Sequence, residues 1–247
     1  MFKVWYRDFQ VWSRYKGSSL VANLGEPLLY LFAMGFGLGR YVNDIGGVSY
    51  AEFLAPGLIM ASVMHSASLE TTYSAYTRLA IQRTYDSMVF TPLSFKEVVL
   101  GEIFWATTKS CFSGITMLLV FTLFGLVKTP LVLLTLPLCF VVGVVFSALG
   151  ILVTAYAKGY EFFNYYLTLF IAPMFLLSGT FFPLDQYSMS LKVITGLLPL
   201  THAVKGARLL FQGHLNPELG LVFFWLALLA VIFSYFAVKK IEKRLYV

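Results

Sequence analysis

Six apolar runs of membrane length dominate this chain and narrow what it can become. They lie near Leu20–Gly39, Phe53–Tyr73, Val98–Gly125, Leu131–Tyr156, Phe162–Phe182 and Leu219–Val238. A helix rises about 1.5 Å per residue and the hydrocarbon core is about 30 Å thick, so each run is long enough to cross. Backbone polar groups in lipid must be satisfied inside the protein. The expected fold is an all-α polytopic membrane protein, with six transmembrane helices in one domain over residues 1–247. Composition agrees: 59% of residues are hydrophobic and 12% are charged, against about 25% charged in a soluble domain.

The first run follows residues rich in Trp and Arg and has no small-residue cleavage site, unlike a secretory signal. Residues 1–16 read instead as an amphipathic helix. At about 100° per residue Phe2, Trp5, Phe9 and Trp12 share one arc, and Lys3, Arg7 and Arg14 sit opposite. That pattern suits a helix lying in the membrane interface; the plainer reading is a basic flank.

Lys and Arg placement sets the expected orientation. One side holds Lys3, Arg7, Arg14, Lys16, Arg78, Arg83, Lys96, Lys158, Lys239, Lys240, Lys243 and Arg244. The other holds Arg40, Lys128, Lys192, Lys205 and Arg208. Both termini are expected in the cytoplasm. The net charge of +6 therefore reflects membrane edges, and no nucleic-acid partner is expected. Cys111 and Cys139 fall inside apolar runs and read as small core residues.

Leu177–Gly213 is too apolar for an ordinary loop and too broken to span. Pro183 and Pro199 interrupt it, leaving pieces about 12 residues long, or roughly 18 Å. Residues 183–213 are expected to form re-entrant helices on the outer side, which require burial in protein or a cavity wall. Ser188–Leu198 reads as an apolar arm. The next arm starts at Thr201 as N-cap and ends at Gly213. His202, Lys205, Arg208 and Gln212 share one face of it, either facing anionic groups or snorkelling to headgroups.

Residues 78–97 form the longest loop on the basic side. Pro92 stops a short helix that exposes Arg83 and Asp86 and carries Tyr85, Met88 and Val89. Ser94 and Glu97 make a capping box for the next helix. Such a helix suits docking to another protein; taken alone it also reads as a charged loop.

Glu26, Glu70, Glu102 and Lys109 fall within or near spans. Charges there normally face the bundle interior and pair. Glu102 is expected near the cytoplasmic surface, within reach of water. Glu70 is the candidate partner of Lys109, beside His65 and a group of Ser and Thr side chains that either line a pathway or only join helices. Tyr30, Phe36 and Tyr166 are candidates for the same wall, among aromatics that mostly pack or face lipid.

Several chemistries find no motif. There is no G-x-x-x-x-G-K-[ST] loop, no H-E-x-x-H and no G-x-S-x-G elbow. Leu177-Ser178-Gly179 is superficially like an ATPase signature, but Thr-Phe-Phe-Pro follows it. His65, His202 and His214 are scattered, so no metal site is expected.

Three stretches carry a resemblance: NLGEPLLYLFAMGFGLG (Asn23–Gly39), RTYDSMVFTPLSFKEVVLGEI (Arg83–Ile103), and LSGTFFPLDQ with LLPLTHAVKGAR (Leu177–Gln186, Leu197–Arg208). Over nearly its whole length the chain resembles an ABC-2 type transporter permease, the membrane subunit of an ATP-binding-cassette exporter. Within that family it is most similar to the nodulation protein J group, linked to lipo-oligosaccharide export. The resemblance implies a homodimer in a bacterial inner membrane, paired with two cytoplasmic ATPase subunits that bind ATP and magnesium, so that this chain binds no cofactor and is not itself an enzyme. It implies ATPase coupling through Arg78, Arg83, Thr84, Tyr85, Asp86 and Met88. The pathway of such a permease would draw on the polar and aromatic candidates Glu70, Lys109, His65, Tyr30, Phe36 and Tyr166. An outer gate follows at Phe181, Phe182, Pro183, Pro199, His202, Lys205 and Arg208. Substrate stays open between lipid-linked or oligosaccharide cargo and a drug or small amphiphile. The rivals from other classes are a membrane-embedded enzyme acting on lipid-linked sugars and a stand-alone channel or scaffold.

Overall fold

The computed structural model describes residues 1–42 and 44–245, and it omits the side chains of Leu20, Ala22, Asn23, Leu24, Glu26 and Leu245. Glu26, one of the charges expected near the first span, therefore has its side chain outside the described set. Among the described residues the elements are helical, with one isolated bridge between Ile45 and Val48. The α-helices are α1 (Phe2–Ser13), α2 (Lys16–Tyr30), α3 (Tyr50–Leu69), α4 (Thr84–Val89), α5 (Phe95–Leu123) and α6 (Thr135–Tyr156). They continue as α7 (Glu161–Tyr166), α8 (Ala172–Leu177), α9 (Met189–Leu197), α10 (Pro199–Phe211) and α11 (Pro217–Leu245).

Among the described residues three helices are long and apolar enough to cross a membrane: Phe95–Leu123, Pro130–Tyr156 and Pro217–Arg244. Glu161–Leu177 is a shorter apolar helix, made of α7, a π turn at Leu167–Ile171 and α8. The first two expected spans are also helical, but each changes its winding. α2 passes into a π turn at Leu31–Gly37, and α3 into π turns at Glu70–Ser74 and Thr77–Ile81.

α3 is the axis of the bundle. Nearly all of its residues are buried, as expected for a helix that is apolar all round. It packs on α5, α6 and α10. Ser49 caps its start by accepting from Glu52 N–H. Its widened end has a local cause. Thr71, Thr72 and Thr77 each donate a hydroxyl back to the chain, to Ala67, Ser68 and Tyr73 O, a habit that bends helices. Thr154 Oγ1 on α6 donates to Thr71 O at 2.7 Å, so a carbonyl in the π turn keeps a partner.

Helix caps fix the other starts. Ser94 and Glu97 form the expected capping box at α5. Pro199 occupies the first turn of α10, where its missing N–H costs nothing and its φ is already helical. The second arm therefore begins at Pro199, after extended Leu198, and not behind a Thr201 cap. Gly213 has φ +78°, the left-handed turn expected after the helix.

One end of the bundle gathers α1, α4, the start of α5 and the end of α11; it carries most of the Lys and Arg and is called the basic end below. The far end gathers residues 40–42, 44–49, 124–130 and 178–216. α11 lies along α6 and leaves Leu221, Phe224, Val231 and Tyr235 exposed, an apolar face suited to lipid.

α1 carries the aromatic arc read from its spacing: Phe2, Trp5 and Phe9 stack successively at 5.2 and 5.3 Å, and Trp12 follows at 6.2 Å. Yet it does not lie free on a surface. Trp12 stacks on Phe112 at 5.3 Å, and Trp5 Nε1 donates to Thr108 Oγ1, both on α5. Gly101 makes this contact possible, because a Cβ there would stand 2.7 Å from Val4 Cβ and 3.0 Å from Met1 O. Gly101→Val should therefore lift α1, with a loss of about 1–3 kcal/mol in thermal unfolding and a red shift of tryptophan emission. Unchanged stability and unchanged emission would show that α1 does not depend on this seat.

Candidate functional site

The buried end of α3 brings together charges from distant parts of the sequence. Lys109 Nζ donates to Glu70 Oε2 at 2.7 Å, and Trp105 Nε1 to Glu70 Oε1 at 3.1 Å. Arg78 bridges both acids: it reaches Glu70 Oε1 at 3.0 Å and both oxygens of Glu102. Arg7 of α1 adds a bond to Glu102 at 3.2 Å and one to Asp8 at 2.6 Å. Three carboxylates thus face three cations across α1, α3 and α5. Glu70 and Glu102 are only 2% and 1% exposed, so these are charge-assisted bonds in a low-dielectric site.

Two expectations change here. Glu102 does not reach water; Arg78 and Arg7 enclose it. Arg7, expected to face headgroups opposite the aromatic arc, turns inward because Glu102 and Asp8 lie there. Asp8 is buried as well, and burial pushes its carboxyl above the usual range despite Arg78 and Arg7. A cavity of about 360 Å³ beside Arg7, Asp8, Arg78, Gln82 and Thr84 adjoins this cluster at the basic end.

α4 sits over the cluster. Arg83 precedes it with φ +51°, a left-handed conformation costly for a side chain with Cβ. The residues expected to couple to a partner then divide. Arg83 is exposed, and Thr84, Asp86 and Met88 are partly exposed. Tyr85 is 1% exposed and belongs to the apolar cluster with Val98, Val99 and Ile241. Burial, with Glu102 nearby, raises its phenol well above the ordinary range. Tyr85 therefore anchors α4 from beneath and is not a surface contact. Arg78 is likewise held in the ion cluster. Phe90, just past α4 and absent from the expectation, is 92% exposed. Its sequence carried no distinct signal, since Tyr85, Met88, Val89 and Phe95 make the same stretch apolar.

The remaining pathway candidates do not form one wall. Tyr30 meets Phe175 at 5.2 Å and Phe181 at 5.3 Å, and His65 meets Phe175 edge-on at 5.7 Å. This aromatic knot ties α2, α3 and α8 to the far end. Tyr166 lies apart, its hydroxyl 3.4 Å from Ser68 Oγ. Phe36 is on an exposed patch with Phe32 and Phe124.

At the far end Phe181 is buried and its carbonyl accepts from Tyr50 Oη at 3.1 Å, whereas Phe182 is exposed. Pro183 turns the chain into a short 3-10 turn. Gly57 lets this segment lie directly on α3, since a Cβ there would meet Thr180 Cα at 3.0 Å. The cationic face of α10 is pulled apart by its partners. His202 Nε2 bonds Gly196 O at 2.7 Å, Lys205 pairs with Glu218 at 3.1 Å, and Arg208 turns inward over the Phe53 ring. Among the described residues no cluster of His, Cys, Asp and Glu could hold a metal.

The sequence profile described as "ABC-2 type transporter" matches residues 1–211. A protein named Nodulation protein J from Rhizobium leguminosarum bv. trifolii is 40% identical over 211 residues, 85% of this chain and 80% of its own length. Nodulation protein J of Sinorhizobium fredii is 36% identical over 242 residues, 98% of this chain and 92% of its own. Inner membrane transport permease YadH of Escherichia coli is 26% identical over 213 residues, 85% of this chain and 82% of its own. No solved structure matches the chain.

Members of the ion cluster should not contribute independently to stability. Glu70→Ala leaves Lys109 short of its carboxylate, an expected loss of about 3–5 kcal/mol. Glu70→Gln with Lys109→Met should lose less than the sum of the singles by about 0.5–3 kcal/mol. Additive losses in denaturation of the four proteins would show that the two side chains act independently.

Proposed function

The chain belongs to the ABC-2 type transporter family, and we propose that it is the membrane permease of an ATP-driven exporter whose cargo is a lipid-linked or oligosaccharide-type molecule. In this reading six helices cross the inner membrane of a bacterium, with both termini and the basic end in the cytoplasm. Two copies form a homodimer, and the cargo leaves along their interface. Hydrolysis belongs to two copies of a separate ATPase subunit. The proline-broken helices α9 and α10 close the outer end. The similarity to proteins named Nodulation protein J supports the cargo class, and the positive-inside bias supports the orientation.

The observation that carries the reading is the coupling geometry of the basic end. α4 and its flanks present exposed Arg83 and Phe90 and partly exposed Asp86, while Tyr85 is rooted in the bundle. Beneath it, Arg7 Nη1 lies 3.6 Å from Met88 Sδ, and its Nη2 donates to Glu102. A push on α4 is thus applied to side chains packed against the ion cluster and α5. A membrane-embedded enzyme has no need of such an outward helix.

Co-expression with the ATPase tests this. Arg83→Ala, Asp86→Ala and Phe90→Ala together should reduce ATPase co-purification at least tenfold, leaving the permease's melting temperature within about 2 °C, because surface changes cost little. Full ATPase retention would sink the docking assignment. Cells lacking the permease should accumulate a glycan-bearing lipid or oligosaccharide, read by mass spectrometry; accumulation of a small amphiphile alone would shift the cargo class.

A further inference from the structure

Arg208 is a half-buried cation of the far end whose guanidinium turns inward without a carboxylate partner among the described residues. Its neighbours are paired: Lys128 with Glu52 at 2.7 Å and Lys205 with Glu218 at 3.1 Å. Among the described residues Arg208 has no ion pair. Its Nη2 donates to Gly179 O at 2.8 Å and Phe53 O at 3.4 Å, and its carbon centre lies 4.0 Å from the Phe53 ring centroid. Nε is buried and has no hydrogen-bond acceptor. Burial lowers its pKa to about 10, so it stays cationic at neutral pH. Proteins seldom leave a desolvated guanidinium uncompensated, because the cost of burial is then not recovered.

The place it occupies suits a ligand. Two cavities, of about 640 and 600 Å³, share Gly46, Phe53, Arg208 and Gln212 as lining. Each is within the usual range for small-molecule sites. Carbonyl bonds to Nη2 and the Phe53 ring fix the plane of the guanidinium, which leaves the N–H groups of Nη1 to donate to an anionic oxygen. Gln212 lines both cavities beside it and can donate an amide N–H.

We propose that Arg208 is the centre of an oxyanion-binding site at the far end of the bundle, which takes a phosphate group with Gln212 as second donor. Two sources carry that chemistry: a soluble phosphorylated molecule and the headgroup of an anionic lipid. The inference does not rest on the export reading, and binding is measured without any ATPase.

The test uses the full chain in dodecyl maltoside micelles, which contain no anion. Inorganic phosphate, compared with chloride at equal ionic strength, should raise the melting temperature by roughly 2–4 °C at saturation. Arg208→Gln should abolish the rise and Arg208→Lys should diminish it, while Lys192→Gln should keep it. Phosphatidylglycerol added to the micelles at constant salt forms the second arm. A rise with phosphatidylglycerol but not with phosphate assigns the site to a lipid headgroup; a rise with phosphate assigns it to a soluble group. No rise with either probe overturns the proposal, as does an equal rise in Arg208→Gln. If Arg208→Gln fails to fold, ³¹P line broadening of phosphate by the wild-type chain, and its loss in Gln212→Leu, decides the matter instead. Absence of broadening, or broadening unchanged in Gln212→Leu, overturns it.

Discussion

The buried pairing of Glu70 and Glu102 with Lys109, Arg78 and Arg7 is the constraint on which the basic end depends. Each charge alone would be expensive in an apolar bundle, and none can be removed without stranding another. Their positions in the chain, 7, 70, 78, 102 and 109, mean that the cluster forms only when α1, the end of α3 and the start of α5 have docked together. It therefore acts as a register pin. Apolar helices can slide along one another at little cost, whereas a displaced carboxylate cannot.

Around that pin the molecule has a graded character. α3 is a buried axis with a regular start and a widened end, and the widening coincides with the acids and threonines of residues 70–77. π turns mark positions where helices commonly serve function. At the opposite end the contacts are aromatic and backbone-mediated: Tyr30, Phe175 and Phe181 in one knot, and Gly57 beneath Thr180. The two ends thus differ in physical kind. One is held by a buried cluster of charges, the other by aromatic and backbone contacts with ion pairs nearer the surface.

Much of the fold was legible in local chemistry. The capping box at Ser94, the stop at Pro92, the breaks at Pro183 and Pro199 and the turn at Gly213 depend on neighbours a few residues away, and each appears in the structure. The arc Phe2–Trp5–Phe9–Trp12 was legible for the same reason. What the arc packs against was not, since Thr108 and Phe112 are a hundred residues distant. Pro199 shows a local ambiguity: a proline breaks one helix and starts the next, and only the observed backbone separates these uses. In the candidate site, Glu70 was found beside Lys109, but Glu102 was expected in water and Tyr85 on a surface. Side-chain type does not say which face of a short helix is rooted.

The sequence alone determined the class of this protein: apolar runs too long for any solvent-exposed element, charges gathered at their edges, and motifs shared along its length with ABC-2 type transporters. Those properties are additive along the chain, so they survive without a structure. Tertiary structure alone decided which charges meet, which residues of α4 face outward, and that the cationic face of α10 is divided between a backbone carbonyl, a carboxylate and an inward guanidinium. Those outcomes rest on distances between segments remote in sequence. Electrostatic and packing energies change over a few ångströms, a scale that composition and periodicity do not resolve.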